Sequence, residues 1–220
     1  MFVGHYGVSF AAKRIAPTIP LWALFVAVQL LDVFWAPLIL LRIEKVRIVP
    51  GITASNPLDL YYMPYTHSLL AALLWSAGAL LVYRLSGTRD AVAKAALVVA
   101  LAVFSHWILD LLVHRPDLPL YDNTAKVGLG LWNFPAVAFA LEAGLLFGGM
   151  WLYFRTGLVP RLRMVVFGLV MLVIQAYVFF GPPPASDRAA AWTALAAYAA
   201  FAAVVARLER PSRMISTSAG

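Results

Sequence analysis

The segment Ser105–Tyr121, SHWILDLLVHRPDLPLY, places two histidines and an aspartate at the end of an otherwise apolar stretch. His106 and Asp110 are four residues apart, so on a helix they share one face. His114 follows near the point where Pro116 is expected to end the helix, because a proline pushes the preceding residue out of the helical region. The segment predicts a helix with a polar cluster at one end, and we expect the rest of the chain to be built around that cluster.

The composition of the chain is typical of a membrane protein. Of the 220 residues, 63% are hydrophobic and 12% are charged, whereas a soluble domain is about half apolar and about a quarter charged. The sequence therefore predicts an all-α fold, a polytopic membrane bundle of about six transmembrane helices. The expected spans are residues 21–41, 67–83, 91–113, 131–154, 164–180 and 189–206. We expect a single membrane-embedded domain over residues 1–210 and a polar C-terminal tail over residues 211–220.

The segment before the first expected span is short and is interrupted by Pro17 and Pro20. It predicts a short helix that either re-enters the membrane or lies in the interface. A re-entrant helix would carry His5 about 12 Å from Lys13, toward mid-depth. Because Lys13 and Arg14 follow the apolar residues instead of preceding them, we do not expect a cleaved signal peptide.

The basic residues are scattered at the ends of the expected spans, a pattern that argues against nucleic-acid binding despite the net charge of +7. Eleven of the 17 Lys and Arg fall on the side of the N-terminus and six on the other side. This bias predicts that both termini are cytoplasmic and that the loops 42–66 and 114–130 face outward. The candidates that this topology places in the outer half or near mid-depth are Asp32, His67, His106, Asp110 and His114.

Carboxylates inside membrane spans are costly unless they are paired or coordinated, which makes them candidates for function. No lysine or arginine lies mid-span to pair with Asp32 or Asp110. The chain also lacks cysteine, so a bound metal would need histidine and carboxylate ligands. The predicted ligands are His5, Asp32, His67, His106 and Asp110. The alternative for these residues is a structural one, as hydrogen-bonded core residues, buried ion pairs or a proton relay.

Further polar residues near the cluster have candidate roles in catalysis or substrate binding. The candidates for catalytic proton transfer are Glu44, His114 and Glu142. The candidates for substrate binding are Arg115, Asp117, Lys126 and Asn133, of which the two cations suit a phosphate. For Arg115 and Lys126 the alternative is anchoring at the membrane interface by snorkelling. Asp117 could instead pair with Arg115 or shape the turn.

The order of the candidate ligands resembles that of the zinc-dependent phospholipase C and nuclease superfamily, which is all-helical and multinuclear. That resemblance implies that the aspartate of His106-x3-Asp110 bridges two metals, with His5 on the second metal. The chain departs from the superfamily pattern because no histidine follows His114, and the later H-x3-E pair is missing.

The whole chain more closely resembles the YdjM-like metal-dependent hydrolases of the bacterial inner membrane. The motifs that carry this resemblance are GHYGVSFAAKR at residues 4–14, LLD at 30–32, PYTHSL at 64–69, SHWILDLLVHRPDLPLY at 105–121 and GLGLWN at 128–133. The resemblance implies a multi-pass protein of the bacterial inner (cytoplasmic) membrane with a metal site.

These observations together predict a membrane-bound, metal-dependent hydrolase. One or two divalent ions, with zinc as the expected metal, would activate water against a phosphoester or related ester. A site near the outer face, in contact with membrane lipid, favours a lipid-borne substrate. The alternatives are a proton- or metal-coupled transporter that uses the same His/Asp cluster, and a non-catalytic membrane scaffold in which the histidines are buried structure.

Overall fold

The computed structural model describes residues 1–86, 90–157 and 161–209, and within them the chain is mostly helical. The helices are α1 (Val3–Ile15), α2 (Leu21–Val28), α3 (Leu30–Leu40), α4 (Leu69–Leu85), α5 (Asp90–Val113), α6 (Pro135–Phe154), α7 (Arg161–Phe180) and α8 (Asp187–Leu208). Strands β1 (Lys45–Ile48) and β2 (Leu58–Tyr62) lie between α3 and α4. The predicted polar tail, and the basic residues Arg89, Arg210 and Arg213 that contributed to the orientation, lie outside the described residues.

Within the described residues, four helices are long and apolar enough to cross a membrane, namely α5, α6, α7 and α8. The pair α2 and α3 adds a fifth span if the two helices, bent by 55°, are counted as one. Helix α4 has 17 residues, which at 1.5 Å per residue is about 26 Å and slightly short of a hydrocarbon core about 30 Å thick. Several apolar helices are thus compatible with a membrane protein, and the expected sixth span stays a prediction.

The first expected span is broken at Gln29, between α2 and α3. The Gln29 side chain is fully buried, and its Nε2 donates a hydrogen bond to the carbonyl oxygen of Phe2 at 3.2 Å. The break places Asp32 in the first turn of α3 and turns the carbonyl of Val28 toward α5. A polar residue inside this span therefore marks the point where the helix changes direction.

Helix α1 lies inside the bundle, packed on α2, α5 and α6. His5 and Phe10 are both 0% exposed. A Cβ atom at Gly7 would collide with the backbone of Leu145, and one at Gly149 would collide with the backbone of Gly7. Backbones in such close contact require small residues at the crossing. Helix α1 is therefore a buried part of the bundle, and its re-entrant or interfacial position relative to the membrane stays a prediction.

The all-α expectation needs one correction, because β1 and β2 form an antiparallel hairpin within residues 42–66. Arg47 pairs with Asp59 across the two strands, and Ile48 pairs with Leu58. The second long loop lies beside the hairpin, where Lys126 Nζ donates a hydrogen bond to the Tyr61 carbonyl at 2.7 Å. Residues 42–66 and 114–130 together form a loop cap over the end of the bundle that carries the polar cluster.

Candidate metal centre

The five predicted ligands lie together beneath the loop cap. They come from α1, from the first turn of α3, from the residue two positions before α4, and from the last two turns of α5. Their ligand atoms form two groups in which all atoms lie within 4.8 Å of one another. These groups are His5, His106 and Asp110, and Asp32, His67 and His106. Buried His/Asp groups of this kind could hold a metal ion.

Asp110 is the centre of the cluster, and its two oxygen atoms face different partners. Oδ2 lies 3.2 Å from His106 Nε2, 3.5 Å from His114 Nε2 and 3.8 Å from His67 Nε2. Oδ1 lies 3.2 Å from His5 Nε2 and accepts a hydrogen bond from the amino group of Met1 at 2.5 Å. One carboxylate thus contacts four imidazoles and an ammonium group.

In His67, His106 and His114, the Nδ1 atom has a hydrogen-bond partner outside the cluster. His106 Nδ1 lies 2.7 Å from the carbonyl oxygen of Val28, which the break at Gln29 exposes to α5. His114 Nδ1 lies 2.8 Å from Asp117 Oδ1. A carbonyl or carboxylate partner requires a proton on Nδ1, so in the neutral ring the free electron pair is on Nε2, the atom that faces Asp110.

His67 is oriented by a hydroxyl group that is itself anchored to a carboxylate. Thr66 Oγ1 donates its single proton to Glu44 Oε2 at 2.6 Å and lies 2.8 Å from His67 Nδ1. Since that proton is committed to Glu44, the hydroxyl must accept from His67 Nδ1–H. The sequence did not indicate Thr66, although it directly precedes a predicted ligand.

Glu44 lies behind His67. Among the described residues, its hydrogen bonds are with backbone N–H groups and a side-chain hydroxyl of the loop that precedes α4. Its Oε1 accepts hydrogen bonds from the backbone N–H groups of Tyr65 (2.8 Å) and Thr66 (3.0 Å). Burial raises the pKa of the Glu44 carboxyl group, while these hydrogen bonds act in the opposite direction. Glu44 thus contacts His67 through Thr66, and its role in proton transfer stays a prediction.

Asp32 faces the cluster with one oxygen and α8 with the other. Its Oδ1 lies 3.2 Å from His67 Nε2 and 3.8 Å from His106 Nε2. Its Oδ2 accepts a hydrogen bond from the hydroxyl of Tyr198 at 2.7 Å. Tyr198 was not predicted, because a tyrosine 166 positions away in an alanine-rich helix gives no signal of contact with an aspartate.

Glu142, the third predicted proton-transfer residue, holds the start of α1. Its Oε2 accepts hydrogen bonds from the backbone N–H groups of Phe2 (2.9 Å) and Gly4 (3.1 Å). Its Oε1 accepts a hydrogen bond from Gln175 Nε2 at 2.9 Å. The first N–H groups of a helix lack intrahelical partners and favour a negative charge. These contacts account for the burial of Glu142, and its role in proton transfer stays a prediction.

Arg115 and Asp117 belong to an ion-pair network in the loop cap. The Arg115 guanidinium donates to Asp59 Oδ1 and lies 3.2 Å from Asp117 Oδ2 through Nε. Arg47 contacts the other oxygen of Asp59 at 2.5 Å. Because Asp117 also contacts His114, the network connects the hairpin to the cluster. Asp59 was missed by the sequence reasoning, which had no measure of the strand register.

The other two predicted substrate-binding residues lie away from the cluster. Lys126 is engaged with the Tyr61 carbonyl, and burial lowers the pKa of its ammonium group. Asn133 is exposed and ends the single 3-10 turn Leu131–Asn133 before α6. Neither residue lines the cavity described below.

Several buried nitrogen atoms of the cluster are left without hydrogen bonds. Among the described residues, neither ring nitrogen of His5 has a hydrogen-bond partner of good geometry, and the same holds for His106 Nε2. Buried polar groups are rarely left unsatisfied, and an unsatisfied group indicates an ion or water at the site. The donor set of imidazole nitrogen and carboxylate oxygen fits a divalent cation.

Comparison with known proteins identifies no relative. No family model, curated protein or solved structure matches the chain. The resemblance to the YdjM-like hydrolases therefore remains a prediction that rests on the quoted motifs. The chemistry of the site has to be argued from its own geometry.

A cavity of about 510 Å³ lies beside the cluster, and residues 56–58, 60 and 63 in and next to the hairpin form part of its lining. Asp32, His67, Asp110 and His114 line its inner end. Its outer part lies between α7 and α8, next to the Gly181–Ser186 turn that joins them. The candidate ligands are therefore accessible to a molecule that enters through this cavity.

Proposed function

We propose that the chain is a membrane-embedded, metal-dependent hydrolase that cleaves a phosphoester or related ester. The observation that carries this proposal is the orientation of His67 and His106, each held at Nδ1 from outside the cluster with Nε2 facing inward. Metal-ligating histidines are oriented in this way by a second shell of acceptors. The mixed nitrogen and oxygen donors favour zinc.

The geometry limits how many ions the two ligand groups would hold. His106 belongs to both groups, and its Nδ1 is used by Val28, so only Nε2 remains for a metal. The two groups therefore represent alternative positions for one ion unless Asp110 Oδ1 and His5 hold a second. A divalent ion in this position supplies a Lewis acid that lowers the pKa of water and polarises an ester oxygen.

Of the three candidates for proton transfer, His114 is the best placed. It lines the cavity, its Nε2 lies 3.5 Å from Asp110 Oδ2, and Asp117 fixes its ring from behind. An imidazole oriented by a carboxylate is the arrangement that general acid–base catalysis uses most often. Glu44 positions His67 through Thr66, and Glu142 positions α1.

Metal analysis of the purified protein tests this proposal. We expect at least one equivalent of zinc or another divalent transition metal in the wild-type protein, and its loss in the His106→Ala variant. Ser105→Ala is the matched control, because the Ser105 hydroxyl bonds only the Ala102 carbonyl among the described residues, at 2.7 Å. Wild-type protein without bound metal would refute the proposal.

Two other functions remain as competing outcomes. In a scaffold, the contacts among the imidazoles and carboxylates of the cluster would be buried structure without bound metal. A transporter would use the same cluster to relay protons or carry a metal, and pH-dependent flux in liposomes would support it. The location in a bacterial inner membrane and the membership of the YdjM-like family are part of the proposal.

A further inference from the structure

The cavity beside the cluster has a polar inner end and apolar walls. Among the described residues that line it, the charged side chains are confined to the inner end. The other walls are mainly apolar and come from the hairpin and from the two helices: Leu58 and Leu60 of β2, Ile174 and Phe179 of α7, and Ala190, Ala194 and Ala197 of α8. This distribution complements an amphiphilic molecule with one polar end.

The cavity reaches the surface at a mouth between α7 and α8, next to the turn that joins them and to residues 56–58 of the loop cap. Tyr177 and Val178 of α7, which are 64% and 47% exposed, line it on one side, and the exposed Thr193 of α8 lines it on the other. Both helices are long and apolar enough to cross a membrane. A gap between two such helices faces lipid, so a molecule reaches this mouth from within the membrane.

The local sequence keeps the two helices apart at this level. The turn contains Pro182, Pro183 and Pro184, whose fixed φ angles stiffen the connection between α7 and α8. Ala190, Ala194 and Ala197 follow one another at helical spacing along the cavity side of α8. Their small side chains leave the space that longer side chains would fill.

We propose that the cavity binds the apolar chain of an amphiphilic substrate that enters sideways from the membrane between α7 and α8. The phosphoester or ester head of this substrate lies at the inner end, next to Asp110 and His114. The volume of about 510 Å³ is within the range of about 300–1,000 Å³ that is usual for small-molecule sites. This inference rests on the proposed function and assigns the substrate class of the same site.

Photo-crosslinking with a defined lipid tests the inference. The probe is lysophosphatidic acid with a diazirine near the end of its acyl chain, added to the purified protein in lipid nanodiscs. We expect the label on peptides from Ile174–Phe179 and Ala189–Tyr198. The Ala194→Phe variant, which fills the mouth, should lose at least tenfold of this labelling.

The matched control is Ala196→Phe, because Ala196 is exposed on the same helix and does not line the cavity. Thermal stability and metal content, measured for both variants, show whether each is folded. Equal labelling of the two folded variants would overturn the inference, and so would labelling spread evenly over the apolar helices.

The same experiment separates this inference from the proposed function. Labelling that is specific to the cavity in a protein without bound metal would support a lipid-chain site and refute the hydrolase. Bound metal with labelling elsewhere would leave the metal centre intact and overturn the lipid-chain site.

Discussion

At the scale of single residues, the hydroxyl of Thr66 determines which nitrogen of His67 is available as a ligand. Thr66→Val keeps the shape of the side chain but removes both the acceptor for His67 Nδ1 and the donor to Glu44. We expect zinc affinity to fall roughly 10- to 100-fold, which is usual for loss of a second-shell partner. Competition titration against a chromophoric chelator measures the change.

The control for this variant is Thr156→Val, two residues after the C-terminal end of α6. The Thr156 hydroxyl donates only to the Tyr153 carbonyl among the described residues, at 2.8 Å, and has no connection to the cluster. Zinc affinity should be unchanged there. A Thr66→Val protein with wild-type affinity would mean that the imidazole of His67 is not a ligand.

The ligand candidates could be predicted from sequence because their signals are local. The spacing of His106 and Asp110 places them on one helix face. Asp32 is a carboxylate inside an apolar span, which indicates a functional role. The partners that orient the ligands could not be predicted, because they depend on contacts between distant segments. Tyr198 on Asp32 is the clearest case, and the Val28 carbonyl carries no side-chain signal at all.

At the scale of secondary-structure elements, the position of α1 depends on its contact with α6, where Gly7 and Gly149 bring the two backbones together. A Cβ at Gly7 would meet the Leu145 backbone, whereas a Cβ at Gly148 would meet nothing within 4 Å. Alanine favours a helix over glycine by about 1 kcal/mol, so Gly148→Ala should be neutral or slightly stabilising. Gly7→Ala should instead lower the free energy of unfolding by about 1–3 kcal/mol through overpacking.

Thermal or denaturant unfolding in detergent compares these two variants. Metal content provides a second measurement, because a displaced α1 also displaces His5 from Asp110. We expect the bound metal to decrease in Gly7→Ala only. Equal stability of both variants would show that α1 does not pack against α6 at these glycines.

The helices themselves were predictable, since runs of apolar residues give both their location and their approximate length. The observed bounds of α5, Asp90–Val113, differ by one residue from the expected span. The break at Gln29 and the hairpin were missed. Gln29 is a polar residue between apolar ones, and its effect depends on a hydrogen bond to Phe2. The strands are only four and five residues long, so alternation in β1 gives a weak signal.

At the scale of the whole molecule, the number of spans depends on α4. Its first turn is fixed to the loop cap by hydrogen bonds from the backbone N–H groups of Leu69 and Leu70 to the carbonyls of Pro119 and Leu120. It packs on α5. We therefore expect α4 to cross the membrane with α5, as the sixth span of the predicted topology.

Single cysteines test this expectation, because the natural chain contains none. Cysteines replace Tyr65 before α4, Ser86 after it, and Tyr121 in the second loop of the cap, all of which are exposed. An impermeant maleimide should label Tyr65→Cys and Tyr121→Cys in intact cells, and Ser86→Cys only after permeabilisation. Labelling of Tyr65→Cys and Ser86→Cys from the same side would exclude α4 as a span, and the opposite sidedness would reverse the orientation.

The loop cap also connects the metal centre to the exterior of the protein. On one side, Glu44 accepts hydrogen bonds from Tyr65 and Thr66, and the Thr66 hydroxyl contacts His67. On the other side, Asp59 in the hairpin contacts Arg115, which contacts Asp117 beside His114. Order in the hairpin and order among the ligands are therefore coupled. An antibody fragment that binds the ordered hairpin should then increase the affinity of the cluster for the cation. By thermodynamic reciprocity, the cation increases the affinity of the protein for that fragment by the same factor. The hairpin would then act as an allosteric handle on a centre that is buried beneath it.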